Sequence, residues 1–271
     1  MVYASVRDVR IFNGWFPVEV RGDILTRLSE NMFRTSKKPI VDYDWDDDVL
    51  DDVKVYVDGV LADINSIDEE RGVITLATAP PSGALLTADY YHHPVGDSEI
   101  KLALSYAEEE IKTTTGIKYE AHEKTEEVIL HYGSVFELAE PIITINSIDI
   151  DGYTLTADEY EIVDAEAGIV RLKNISAGLV MPPWYIAKSI RLRVQYIAGY
   201  QAIPSIVKHA SILIATYQLL LRLQRQVTFT EDYSGITMAF KTPEDLTNRL
   251  QFLRAEVARV KELLPRRVVK A

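Results

Sequence analysis

A short β-strand pattern occurs twice in this 271-residue chain, around residues 53–91 and again around residues 143–196. In each copy an alternating apolar strand leads into an Asp-Gly pair, Asp58-Gly59 or Asp151-Gly152, which is typical of a tight hairpin turn. Each copy then has a strand that follows a glycine, and each ends in a strand that contains tyrosine. The sequence therefore predicts one antiparallel β-module present in two copies.

Helical patterns separate the two copies and follow them. The first predicted helix begins after Ser5, a typical N-cap. Four more are predicted for residues 23–32, 97–115, 204–224 and 242–264. In the helix of residues 23–32, Ile24, Leu25 and Leu28 are expected to share one face, and Ser98 is the expected N-cap of the helix of residues 97–115.

These patterns predict an α+β fold. Its expected parts are a helical-bundle core, a long C-terminal helix and two small antiparallel β-modules, one of them inserted near the N-terminus. The predicted domains are a helical segment (residues 1–40), an inserted β-module (41–96), a core of helix, β-module, apolar helix and extended segment (97–241), and a C-terminal helix with a basic tail (242–271).

The C-terminal helix has the clearest boundaries. Thr242 and Pro243 are typical of a helix start, and Pro265 is expected to end the helix. Between them, apolar residues follow at alternating spacings of four and three, as in a coiled-coil seam: Leu246, Leu250, Leu253, Val257, Val260 and Leu264. The tail after Pro265 is basic and is expected to be free to reach a partner.

The charge balance argues against a protein that grips nucleic acid, because the net charge is −12. Seven of the eleven residues from 42 to 52 are aspartates, which predicts an exposed loop or linker. The chain has no cysteine, which excludes disulfides and cysteine-based zinc sites. We expect no signal peptide in the first ten residues, and no membrane span in the apolar run of residues 210–221, which is too short.

Arrangements that resemble metal or catalytic sites are incomplete. Asp42, Asp44 and Asp46 begin like a calcium-binding loop, but Asp47 replaces the required glycine, so we favour a solvated acidic loop over a weak cation site. His122-Glu123 begins like the zinc-protease helix motif without its second histidine, and adjacent residues such as His92-His93 point to opposite faces of a strand. We predict no catalytic residue, no cofactor and no metal ion.

The tyrosines allow two interpretations. Tyr90, Tyr91, Tyr196 and Tyr200 could form a platform that stacks on sugars or bases. Alternatively, they fill strand faces and subunit contacts, which suit the large area and polar tip of tyrosine. We favour the second interpretation.

From residue 100 to residue 199, the order of these signals resembles that of the head–tail connector (adaptor) proteins of tailed viruses. Short segments carry the resemblance: the helix of residues 107–116, the proline-led strand of 141–145, the turn Asp151-Gly152, the strands of 160–162, 168–170 and 194–200, and the apolar helix after Pro204. Residues 3–10 are similar to the first helix of that family, and residues 232–240 to the extended segment before its last helix. Members are often smaller, and residues 15–93 are interpreted as an insertion.

The resemblance implies a structural virion protein and not an enzyme. Its copies would form a ring, typically twelve-fold, that is assembled in the host cytoplasm, binds the portal protein and joins the head to a tail or second connector protein. Docking on the portal would use Leu246, Leu250, Leu253, Val257, Arg266, Arg267 and Lys270. An acidic surface or lumen that lets DNA pass would use Asp42, Asp44, Asp46, Asp47 and Asp48.

Three alternatives stay open from the sequence. The chain could be another tail or baseplate protein of a virion, or a ligand-binding β-module that uses its tyrosines. It could also be a hydrolase with unrecognised carboxylates, for which a deep pocket lined by two or more carboxylates would be the sign.

Overall fold

The computed structural model describes residues 3–130, 134–150, 152–173, 190–227 and 243–265. The chain divides into two compact units. One is built from Glu110–Val207 and the segment that begins at Leu263, and the other from Val2–Glu109 and Lys208–Glu262. Each unit contains one β-module, and we name residues 18–92 module 1 and residues 122–198 module 2. The predicted domain boundaries stay predictions.

Strands account for 34% of the described residues and helices for 31%. The described residues form a mixed α+β fold with a sheet-rich core, so the predicted helical-bundle core is wrong. The physical reason is that each module closes a hydrophobic core of its own between strands whose apolar residues alternate. The helices are α1 (Val6–Asn13), α2 (Asp97–Thr115), α3 (Ser205–Val227) and α4 (Pro243–Leu263).

The two modules have nearly the same strands in the same order along the chain. Module 1 contains β1 (Val18–Ile24), β2 (Thr26–Arg27), β3 (Met32–Arg34), β4 (Lys54–Val57), β5 (Val60–Ala62), β6 (Ile64–Asp68), β7 (Val73–Leu76) and β8 (Leu86–His92). Module 2 contains β9 (His122–Leu130), β10 (Val135–Glu137), β11 (Ile142–Ile150), β12 (Tyr153–Thr154), β13 (Tyr160–Asp164), β14 (Ile169–Leu172) and β15 (Ile190–Ala198).

The strand pairing is repeated as well. Module 1 has antiparallel sheets of order β1-β8-β4-β5 and β2-β3-β7-β6, and module 2 has sheets of order β9-β15-β11-β12 and β10-β14-β13. Within the described residues, β2 is the strand of module 1 that has no counterpart in module 2. The predicted repeat is therefore confirmed, and it extends further towards the N-terminus of each copy than the sequence pattern indicates.

Equivalent positions build the two cores. Phe33 faces Ile74 across β3 and β7, as Phe136 faces Val170 across β10 and β14. Further equivalent buried pairs are Ile40 and Ile142, Val55 and Ile148, Leu76 and Leu172, Leu86 and Leu192, and Tyr90 and Tyr196. The repeat is thus one packing scheme used twice, and not merely a shared style of hairpin.

One turn shows why both copies need a glycine at the same place. Gly72 and Gly168 both have positive φ angles, of 62° and 71°. The amide of Thr35 donates to Gly72 O at 2.9 Å, and the amide of Leu138 donates to Gly168 O at 2.8 Å. A Cβ on Gly168 would lie 2.8 Å from Leu138 O, so the close approach of the two segments excludes larger residues.

The helix predicted for residues 23–32 is wrong. This segment contains the end of β1, all of β2 and the start of β3. Leu25 is buried, whereas Ile24 and Leu28 are 67% and 43% exposed, so the three residues do not share one face. The pairing of β1 shifts register at a bulge between Val20 and Asp23, which supports strand and not helix geometry.

The remaining predicted helices are present with small shifts in their ends. Ser98 is not the N-cap of α2, since it lies in the first turn and donates to Glu70 at 2.6 Å. Gly116 follows α2 with a φ of 70°, as expected of a C-terminal glycine. In α3, Ser205–Gln224 is long and apolar enough to cross a membrane, but 61% of that stretch is buried, as in the core helix of a soluble protein.

Candidate interaction surfaces and an acidic cavity

The histidines singled out in the sequence serve the fold. His92 Nδ1 lies 2.9 Å from Pro39 O, and His93 Nδ1 accepts from the Val95 amide at 3.0 Å. Burial and the nearby Arg10 lower the pKa of His93 to about 4. His122 lies on β9 and not on a helix, so the arrangement of the zinc-protease motif is absent from this segment.

The four tyrosines do not form, as a set, the stacking platform considered as the alternative interpretation. Tyr90 and Tyr196 are fully buried, and Tyr91 is stacked on Tyr43 with ring centroids 4.2 Å apart. Tyr200 is stacked on Tyr119, with ring centroids 5.5 Å apart. The favoured interpretation, that these side chains fill strand faces, is confirmed for the two buried residues.

A tyrosine and a carboxylate occupy equivalent places in both modules. In module 1, the Tyr90 hydroxyl donates to Asp23 Oδ2 at 2.9 Å and accepts from the Lys37 amide at 3.1 Å. Asp23 Oδ2 also accepts from the Ser36 amide at 2.7 Å, so this contact holds the segment after β3 against the sheet.

In module 2, Glu126 takes the place of Asp23. It accepts from the Ala139 amide at 2.9 Å and pairs with Lys124 at 2.6 Å. Burial alone would raise the pKa of Glu126, but these two donors outweigh it and lower the pKa. The neighbouring Tyr196 hydroxyl makes no hydrogen bond of standard geometry to the described residues, and burial next to Glu126 raises the pKa of Tyr196.

The aspartate-rich loop is folded by its own carboxylates. Asp42 is 5% exposed and accepts from the amides of Trp45 at 2.6 Å and Asp47 at 2.8 Å. Asp46 Oδ1 accepts from the Asp48 amide at 2.8 Å in the same way. Asp44, Asp46, Asp47 and Asp48 are exposed, so they form an acidic surface; whether that surface lines a lumen stays a prediction.

Three of these carboxylates converge. Oxygen atoms of Asp42, Asp44 and Asp46 lie within 4.8 Å of one another, which is compact enough for a cation. Burial and the charge of Asp46 raise the pKa of Asp44, as expected where like charges are close together. The same crowding exists in acidic loops that hold no ion, so the absence of a metal stays a prediction.

A cavity of about 570 Å³ lies between α1, the acidic loop and the start of α2. Five carboxylates line it, which is the sign named for the hydrolase alternative: Asp8, Asp42, Asp47, Glu69 and Asp97. Most of them are already held by other groups. Lys208 lies 2.9 Å from Asp8, Lys101 lies 2.8 Å from Asp47, and Arg10 lies 2.7 Å from Asp97.

Asp42 and Glu69 make no ion pair within the described residues, and Asp42 is held by the backbone amides of Trp45 and Asp47. Burial raises the pKa of Glu69, and the charge of Asp97 adds to that effect. Acid–base hydrolysis of the glycosidase type needs two carboxylates with separate roles. Asp8 differs from Glu69, since hydrogen bonds from Ser5 and Lys208 outweigh burial and lower the pKa of Asp8. Whether any two of these carboxylates take such roles is untested, and the hydrolase alternative stays open.

The predicted docking seam of α4 is covered. Leu246, Leu250 and Leu253 are at most 6% exposed, and Val257 is half-buried. The outward side of the helix presents Phe252, which is 53% exposed. Arg266, Arg267 and Lys270 lie outside the described residues, and docking on a portal stays a prediction.

No protein-family model matches the chain, and no curated protein matches it. Among solved structures, the chain is similar to one from the neck of an empty GTA particle computed with C6 symmetry. The sequence identity is 17%, the match covers 54% of this chain and 77% of that chain, and the TM-score is 0.32. A similarity at this level shows no family and carries no weight for fold or function.

Proposed function

We propose that this protein is a structural component of a virion, and specifically a head–tail connector that forms a ring beneath the portal. The observation that carries the proposal is the order of elements from α1 to α4. A capped first helix, a second helix that ends at a glycine, a β-module, a long apolar helix after a proline and a final helix follow one another as in the resemblance.

Most of the described segments that carry the resemblance have the secondary structure expected of them. Residues 107–115 lie in α2, residues 142–145 begin β11, residues 160–162 lie in β13, residues 169–170 in β14 and residues 194–198 in β15. Pro204 directly precedes α3, whose residues are buried on several sides. Asp151 and residues 232–240 lie outside the described residues.

Charge supports the proposal in a second way. The net charge of −12 and the exposed aspartates of the acidic loop disfavour stable contact with DNA, which suits a duct through which DNA must pass. The weak similarity to the neck of a GTA particle is compatible with a virion structural role and adds no weight to it.

The proposal is tested by mixing the purified full chain with purified portal rings. Light scattering and negative-stain electron microscopy should show the chain bound to the portal as an additional ring. A chain that stays strictly monomeric and does not bind portal rings would contradict the proposal. Ring density at a tail or baseplate instead would favour the alternative virion role.

The docking residues can be tested in the same assay. A chain truncated after Leu264 lacks the basic tail with Arg266, Arg267 and Lys270. If the tail docks on the portal, the truncated chain should bind portal rings more weakly, and the effect should shrink at high salt. Unchanged binding would remove the tail from the proposed contact.

A further inference from the structure

The internal repeat allows one surface to be compared within the same chain. In module 1, Ile24, Thr87, Tyr56 and Leu61 are direct cross-strand partners and form one row across β1, β8, β4 and β5. Directly paired residues project from the same face of a sheet. Their strand neighbours Val55 and Ala88 belong to the buried core, so this row lies on the outer face of module 1.

The equivalent row of module 2 has different chemistry. Glu127, Arg193, Asp149 and Thr154 are direct partners across β9, β15, β11 and β12. Their neighbours Ile148 and Val194 belong to the buried core of module 2. The fold therefore accepts a charged and polar row at this place, and an apolar row is not needed for folding.

The outer face of module 1 is nevertheless apolar and exposed. Ile24 is 67% exposed, Leu61 is 64% exposed, and Leu85, which directly precedes β8, is 56% exposed. We name Ile24, Tyr56, Leu61 and Leu85 the outer patch. Exposed apolar groups that cluster on one surface are typical of contact sites.

A second exposed apolar surface lies between α2 and α3. It is a groove of about 210 Å³ whose lining includes Leu102, Tyr106, Leu219 and Leu221. Leu102 is 47% exposed and Tyr106 is 58% exposed, although both lie on a helix whose opposite side is in the core. This volume is enough for one or two aliphatic side chains.

The two surfaces also match in charge. Lys54 and Asp89 are direct cross-strand partners on the outer face of module 1, in the row next to the outer patch. Glu99 and Arg222 lie 3.3 Å apart at the rim of the groove. Each surface therefore carries charges of both signs beside its apolar part, so Lys54 can face Glu99 while Asp89 faces Arg222.

We propose that the outer patch of one copy docks into the α2–α3 groove of a second copy. Two different surfaces of the same chain then meet head to tail, and such a contact closes into a ring when the rotation between copies allows it. The inference rests on the proposed ring assembly and names the surfaces that hold its subunits together.

Cysteine cross-linking tests the contact directly, because the chain has no cysteine of its own. Leu61→Cys and Leu102→Cys chains are purified separately, mixed at high concentration and treated with a short bismaleimide. A cross-linked dimer is expected in the mixture and not with either variant alone. Thr154→Cys, at the equivalent place in module 2, should give no product with Leu102→Cys.

Several outcomes would overturn the inference. A dimer formed by Leu61→Cys alone would mean that two outer patches meet face to face. Equal yields with Leu61→Cys and Thr154→Cys would mean random collisions. No product in any mixture would mean that the surfaces do not meet.

A second measurement uses the module 2 residues as a guide to substitution. The double variant Ile24→Glu, Leu61→Thr should raise the dissociation constant for self-association about tenfold or more, because two aliphatic side chains are lost from the contact. Ile129→Glu is the matched control, since Ile129 is an exposed aliphatic residue on β9 of module 2. Equal weakening by both changes would contradict the proposal.

Failure of the inference and failure of the proposed function can be told apart. If the double variant still forms rings on portal particles as the unchanged chain does, the subunit contact lies elsewhere and the connector function stands. If the unchanged chain does not bind portal rings at all, the connector function fails.

Discussion

Removal of the Tyr90 hydroxyl should destabilise module 1 by about 2–4 kcal/mol. In Tyr90→Phe the ring still fills the core, but two hydrogen bonds are lost: the one donated to Asp23 at 2.9 Å and the one accepted from the Lys37 amide at 3.1 Å. The first involves a charged acceptor, and the second leaves a partly buried amide without a partner. Asp23 keeps the Ser36 amide, which limits the loss.

Urea unfolding measures the change in stability, and hydrogen exchange of the Lys37 amide reports the local effect. Protection of that amide should fall in Tyr90→Phe by more than the global destabilisation explains. The control is Tyr196→Phe at the equivalent place in module 2, where the hydroxyl makes no hydrogen bond of standard geometry within the described residues. That variant should lose less stability than Tyr90→Phe, because its missing hydroxyl leaves no backbone amide without a partner. Equal losses in the two variants would refute this account of the contact.

Three further predictions concern buried or crowded positions. The pKa of His93 is lowered from 6.5 to about 4, so between these pH values the unfolded chain binds a proton that the folded chain does not bind. The free energy of unfolding should therefore fall as the pH drops from 6.5 to 4, by at most about 3 kcal/mol. Urea titrations of His93→Gln should show a weaker fall over this range; an unchanged slope would contradict the assignment. Gly168→Ala should cost at least about 1 kcal/mol more than Gly152→Ala in thermal unfolding, because both have positive φ but only Gly168 would bring a Cβ against a carbonyl oxygen. Glu69→Gln should raise the free energy of unfolding at pH 7, because the raised pKa of Glu69 means that its ionised form opposes folding. This gain should shrink as the pH falls and the Glu69 carboxyl takes up a proton. No gain at pH 7 would count against this prediction.

Local sequence patterns predicted much of the module architecture. The Asp58-Gly59 turn, with φ angles of 51° and 82°, is visible in sequence because few residues accept that geometry. The sequence placed a glycine before a strand in each copy, and the structure shows that Gly72 and Gly168 both have positive φ angles. Strand alternation and turn residues act over a few positions, so a single sequence is enough to read them.

Contacts between distant segments were not predictable. Arg10 and Asp97 are 87 residues apart, yet the Arg10 guanidinium donates to Asp97 at 2.7 Å and 2.9 Å with both groups buried. The equivalence of Asp23 in module 1 and Glu126 in module 2 also depends on the pairing register of β1 with β8 and of β9 with β15, which no local pattern predicts. The apolar spacing of Ile24, Leu25 and Leu28 suggested a helix because a bulged strand next to a short strand can produce the same spacing.

The candidate surfaces were predicted only in part. The acidic loop was identified from composition, but its ordering by backbone amides was not. The leucine seam of α4 predicts a packed face without saying what covers it, because a seam that packs inside the chain and one that packs on a partner have the same periodicity. The apolar row of module 1 was not predicted, because its residues lie on four different strands and are brought together only by cross-strand pairing.

The most direct test of the connector function is cryo-electron microscopy of intact particles that contain this chain. We predict ring-shaped density between the portal and the tail into which α1–α4 and both β-modules fit, with module 1 of each copy against α2 and α3 of its neighbour. Density for the chain only in the tail or baseplate, or its absence from purified particles, would contradict the connector function.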